Sequence, residues 1–174
     1  MFTFVTGGLR SGKSEYALRR TSELGPPPWL YVAPKIDGDD EIKARLANHR
    51  RDQEATWKLL EAPEHLESVL EPATLEGVGS LFIDRFTIWI SNRLARTDHG
   101  ADRALLEEVE RLADRLYRST TPAVVVTTEV GLGFLPANVP DRRLVDVVGM
   151  ANQILSDRAT AAAFLVSGIP MRLR

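Results

Sequence analysis

Residues 2–6 form a short apolar run that reads as a strand, and no Gly or Pro interrupts Lys13 through Leu24, so the next element is a helix from 12 to about 22. Gly25-Pro26-Pro27-Pro28 is a stiff break before a second short strand, Trp29–Ala33, closed by Pro34. From Asp39 or Asp40 to about Glu54 the pattern turns helical, with Ile42, Leu46 and Arg50 on one face and charge around the rest. So thin an apolar stripe predicts a helix lying over a surface or covering a site. Residues 63–70 suggest a short helix, 71–79 a polar connector, and Ser80–Ile83 a strand ending at Asp84. A strongly apolar helix follows over 86–96. Its adjacent Ile88, Trp89 and Ile90 predict burial on more than one side, against the core or another subunit. After a loop over 97–100, Leu105, Val109, Leu112 and Leu116 make the clearest amphipathic stripe in the chain. Pro122 turns into a buried-type strand over 123–127, Gly131, Gly133 and Pro136 mark a loop, 141–155 returns to helix, and 162–167 is the last strand. This alternation predicts an α/β fold, a mostly parallel sheet with helices on both faces.

A length of 174 residues with 44% hydrophobic content fits one domain, 1–174, around one core. The 22 basic and 24 acidic residues are mixed along the chain and leave a net charge of −2, which gives no push toward nucleic acid or a membrane surface. Cysteine is absent, and with it disulfides, thiolate metal sites and cysteine nucleophiles. The first strand begins too early to leave room for a signal peptide, and no apolar run approaches the length of a membrane span. The expectation is a cytoplasmic protein without membrane insertion.

Between the first strand and the first helix lies Gly7-Gly8-Leu9-Arg10-Ser11-Gly12-Lys13-Ser14, a complete Walker A phosphate loop. Gly7 and Gly12 let the backbone curl so that its N–H groups face phosphate oxygens. Lys13 can reach the β- and γ-phosphates, the Ser14 hydroxyl can ligate Mg²⁺, and the helix N-terminus adds its own field. Asp84 follows directly on a strand, where groups converge on the ligand crevice of a parallel sheet. It is placed to hold Mg²⁺ or its water shell, or else to cap the next helix. Glu129 stands in a similar place after the 123–127 strand. Of three histidines, His65 reads as a surface group and His99 as part of a turn. His49 sits among Arg45, Arg50 and Arg51, where neighbouring cations favour the neutral imidazole that a nucleophile needs. A solvated basic helix face accounts for the same pattern. These residues alone leave a small-molecule kinase using the phosphate loop as an alternative to any covalent chemistry at His49.

From end to end the chain resembles the bifunctional adenosylcobinamide kinase/adenosylcobinamide-phosphate guanylyltransferase family. The resemblance is carried by 5–14, by Tyr31-Val32-Ala33, by 41–46 with His49, Trp57 and Glu61, and by Asp84 with 87–92. Glu129-Val130-Gly131-Leu132-Gly133 with Pro136, then Asp146, Gly149, Asn152 and Gln153, and finally 166–170 complete it. It implies a P-loop NTPase-like, RecA-like fold. It also implies that ATP or GTP phosphorylates adenosylcobinamide, and that GMP then passes from GTP, through a guanylylated histidine at His49, to adenosylcobinamide phosphate. Nucleotide contacts are implied at Gly7, Gly8, Leu9, Arg10, Ser11, Gly12, Lys13 and Ser14, at Tyr31, Val32 and Ala33, and at Arg50, Arg51, Asp52, Glu61 and Asp84. Mg²⁺ is implied at Ser14 and Asp84, and the assembly is expected to be a homotrimer. Asn48, Gln53 and Arg85 depart from the family pattern; of these, Gln53 removes a possible phosphate contact.

Overall fold

A computed structural model of the chain describes residues 1–34, 57–133 and 136–174. The helix expected over 39–54 lies outside these residues, and with it His49, Arg50, Arg51 and Asp52. Seven described strands form one sheet in the order β3-β2-β4-β5-β1-β6-β7. They are β1 (Phe2–Gly7), β2 (Trp29–Ala33), β3 (Trp57–Glu61), β4 (Ser80–Ile83), β5 (Ala123–Val126), β6 (Ala161–Val166) and β7 (Ile169–Arg172). All neighbouring pairs are parallel except β6 with β7. The strand carrying the phosphate loop, β1, is central, with Phe4 opposite Val125 of β5 and Ala162 of β6.

Strand periodicity sorts the core into two layers. Phe2, Phe4, Leu30, Val32, Leu81, Ile83, Ala123 and Val125 face one side. There they pack against α3 (Phe86–Leu94), α4 (Asp102–Arg118) and α5 (Val139–Arg158). The alternate residues Val5, Trp29, Tyr31, Phe82, Val124 and Val126 face the other side, where α1 (Lys13–Leu24) contributes Ala17 and Leu18. Helices therefore cover both faces, as the β/α alternation requires. The predicted α4 stripe is buried at all four positions. At about 1.5–3 kcal/mol for each fully buried large apolar side chain, it decides which face α4 turns inward. Trp89 and Ile90 are buried in this same core, while Ile88 is half-buried beside it.

Two strands escaped the sequence pattern, and both are edges. In β3 only Trp57 is buried, so Trp-Lys-Leu-Leu-Glu shows no alternation to read. In β7 every residue is exposed, and Pro170, tolerated on an edge, breaks the pattern. The β6–β7 hairpin turns on Ser167 and Gly168, both at positive φ (51° and 83°), the conformation that a two-residue primed turn demands. Within 63–79 the expected short helix is a 3-10 segment, Leu66–Leu70, and the connector holds a single helical turn, α2 (Pro72–Leu75).

Candidate functional site

β1 delivers Gly7 to the carboxyl end of the sheet, and the chain from Gly8 to Gly12 curls before α1 starts at Lys13. Gly12 adopts φ 84°, and a Cβ there would come within 3.0 Å of Gly168 Cα. A Cβ on Gly7 would lie 2.6 Å from the Leu165 carbonyl oxygen and 2.8 Å from Ser11 Oγ. Gly7 is therefore required by packing, and Gly12 by its left-handed backbone with Gly168 close against it. The loop rests on the hairpin turn, where Gly168 N donates to the Ser11 carbonyl oxygen at 2.8 Å. Inside it, Ser11 N donates to Gly8 O at 3.3 Å, and Lys13 Nζ donates to the same oxygen at 3.0 Å.

Asp84, at the carboxyl end of β4, is 1% exposed. Its Oδ1 accepts from Ser14 Oγ at 3.2 Å and from Arg85 N at 2.9 Å, and its Oδ2 accepts from Tyr31 Oη at 2.5 Å. The helix-cap reading fails, since α3 is capped by Arg85 (φ 55°) and carries no side-chain cap bond. Ser14 and Asp84 bring two hard oxygen donors together at the mouth of the loop, the donor chemistry that suits Mg²⁺. Among the described residues no group of three or more His, Cys, Asp or Glu side chains gathers as a metal site. The pair thus fits an ion that keeps waters and phosphate oxygens as its other ligands.

Tyr31 is fully buried. The side chains of Val32 and Ala33 are buried as well, and their carbonyl oxygens accept from Asp84 N and Ala62 N, both at 2.8 Å. Glu61 is exposed at the end of β3, opposite Ala33, and β2 separates it from β4. The described site therefore joins Gly7 to Ser14 with Tyr31 and Asp84, and leaves Glu61 toward the sheet edge. His65 is exposed and meets buried Glu108 at 3.2 Å, where Arg93 also binds, which agrees with a surface role.

One polar group was not singled out from the pattern. Thr127 Oγ1 donates to Asn152 Oδ1 at 2.8 Å and lies 2.9 Å from Thr87 Oγ1, which accepts from Thr128 N at 2.8 Å. Asn152 Nδ2 reaches the Thr128 carbonyl oxygen at 3.2 Å. These bonds fix the chain as it leaves β5 toward Glu129, whose N donates to Gly7 O at 3.1 Å. The available signal was polar residues in otherwise apolar helix and strand positions.

Comparison with known proteins bears on this geometry. The family described as cobinamide kinase / cobinamide phosphate guanyltransferase matches residues 3–173. The bifunctional adenosylcobalamin biosynthesis protein CobP of Pseudomonas aeruginosa is 35% identical over 178 residues, spanning 100% of this chain and 98% of that one. The corresponding protein CobU of Salmonella typhimurium is 32% identical over 184 residues and covers all of both chains. Among solved structures, a KaiC-like protein of Pyrococcus horikoshii superposes with a TM-score of 0.53 at 14% identity, over 94% of this chain and 69% of that one. That likeness concerns the fold alone.

Proposed function

The chain belongs to the cobinamide kinase / cobinamide phosphate guanyltransferase family, and on that premise we propose that the phosphate loop with Asp84 serves its kinase step and His49 its guanylyl transfer. The family's reactions are those of this chain. It phosphorylates adenosylcobinamide with ATP or GTP. It then moves GMP from GTP, through a guanylylated histidine, to adenosylcobinamide phosphate, giving adenosylcobinamide-GDP in cobalamin biosynthesis.

The carrying observation is the Ser14–Asp84 contact at the mouth of a loop with Lys13 beside it. In the kinase step the loop N–H groups cradle the phosphates, Lys13 exchanges the Gly8 carbonyl for phosphate oxygen, and Ser14 with Asp84 would hold Mg²⁺. When bound, that ion would supply positive charge against the charge of the transferring phosphoryl group. In the transfer step the neutral imidazole of His49 attacks the α-phosphorus of GTP and pyrophosphate leaves. The phosphate of adenosylcobinamide phosphate then attacks the same phosphorus and the P–N bond breaks. Arg50, Arg51, Asp52 and Glu61 are the nucleotide contacts of this second step.

The strand–loop–helix arrangement and the fold likeness support reading residues 1–174 as one P-loop NTPase-like, RecA-like domain. A large polar corrinoid needs more surface than so small a domain offers, which supports a homotrimer with sites between subunits. A supply of ATP and GTP supports the cytoplasm as the working compartment. Following adenosylcobinamide with GTP and Mg²⁺ by chromatography tests the assignment. Adenosylcobinamide phosphate appears first and adenosylcobinamide-GDP accumulates; arrest at the phosphate contradicts the transfer half.

A further inference from the structure

Phosphorylation of a hydroxyl requires that its proton leave, and three described strands carry a carboxylate at or within three residues of their carboxyl ends: Glu61 closes β3, Asp84 follows β4 directly, and Glu129 lies three residues beyond β5. Asp84 is 1% exposed and both of its oxygens already accept hydrogen bonds, so it has no face to offer a large substrate. Glu61 is set apart by sheet order, with β2, β4 and β5 between its strand and β1. Glu129 differs from both. Its strand lies between β1 and β4, and its backbone N is tied to Gly7 O at 3.1 Å, so it stands beside the first residue of the loop. It is half-buried, and one oxygen, Oε1, accepts from Gly131 N at 2.8 Å. Among the described residues, no group donates to Oε2. The Thr87–Thr127–Asn152 bonds hold the backbone just before it.

Resting on the kinase reading above, we propose that Glu129 is the general base of the phosphoryl transfer. The hydroxyl of adenosylcobinamide gives its proton to Glu129 Oε2 as its oxygen bonds to the γ-phosphorus. The bond from that phosphorus to the β,γ-bridging oxygen breaks, the nucleoside diphosphate leaves, and Glu129 then releases the proton to water. The bond from Gly131 N fixes the carboxylate plane, and the polar group behind Thr128 fixes its distance from Gly7.

Glu129→Gln tests this cleanly, because the amide oxygen can still accept from Gly131 N and keep the loop turn. Kinase kcat with adenosylcobinamide, ATP and Mg²⁺ is expected to fall about 10²- to 10⁴-fold, the usual contribution of a positioned base. Guanylyl transfer to preformed adenosylcobinamide phosphate is measured alongside. An unchanged kinase rate overturns the proposal, as does an equal fall in both reactions, which marks a structural role. Rescue of the variant by raised Mg²⁺ also overturns it, since that identifies a metal ligand. If the parent phosphorylates nothing, the kinase reading itself fails, a result distinct from any of these.

Discussion

The ends of β4 and β5 are neighbours in one sheet, yet they present their carboxylates in opposite ways. At the end of β4, Asp84 is sealed in, with a serine, a tyrosine and a backbone amide using both its oxygens. Three residues beyond β5, Glu129 is half-buried on a glycine-rich loop, with one oxygen held by the loop itself. Two acidic residues just beyond neighbouring strands thus differ in what they can do. A buried carboxylate held by three donors supplies fixed negative charge and geometry, whereas a partly open one has an oxygen free to meet a substrate hydroxyl. The lesson is that the end of a strand supplies the place, and the local bonds decide the chemistry.

The comparison can be broken by exchanging charge for shape at each end, and Glu129→Gln carries the largest expected effect on phosphorylation. Next comes Asp84→Asn, which keeps the side-chain volume but removes the charge beside Ser14. It should lower kinase kcat about 10²-fold, the low end for losing one preorganised electrostatic group, and raise the Mg²⁺ concentration needed for half-maximal rate. A loss that leaves the Mg²⁺ dependence unmoved contradicts the metal role and leaves only a packing one. Tyr31→Phe has the smallest effect and sharpens the account most. It deletes one buried O–H while Asp84 remains, so kinase kcat should fall tenfold or less. Urea unfolding should show a loss of about 1.5–3 kcal/mol, the worth of a hydrogen bond to a charged group. Full stability with full activity would show that the Tyr31–Asp84 bond orients nothing.

Much of this was legible in the chain, and the parts that were not share a cause. The phosphate loop is eight consecutive residues, so its chemistry can be read from local spacing alone. Strands β2 and β4 and the α4 stripe were also plain, because burial imposes a period on neighbouring residues. Edge strands β3 and β7 were missed since solvent imposes none. The partners of Asp84 are 70 residues away at Ser14 and 53 residues away at Tyr31. No local pattern encodes such contacts. Tyr31 was drawn from family resemblance as a nucleotide contact, and the structure gives its hydroxyl to Asp84. Asn152 entered through the same resemblance, and its role behind Thr127 became visible only when α5 was packed on the sheet.

Division of the two reactions between the phosphate loop and His49 is the central claim, and intact mass tests it most directly. The parent protein and a His49→Ala variant are incubated with GTP and Mg²⁺ and weighed before any corrinoid is added. The account predicts a gain of one GMP in the parent and none in the variant, with the variant still phosphorylating adenosylcobinamide. A GMP adduct on the variant, or none on a parent that binds GTP, would contradict it.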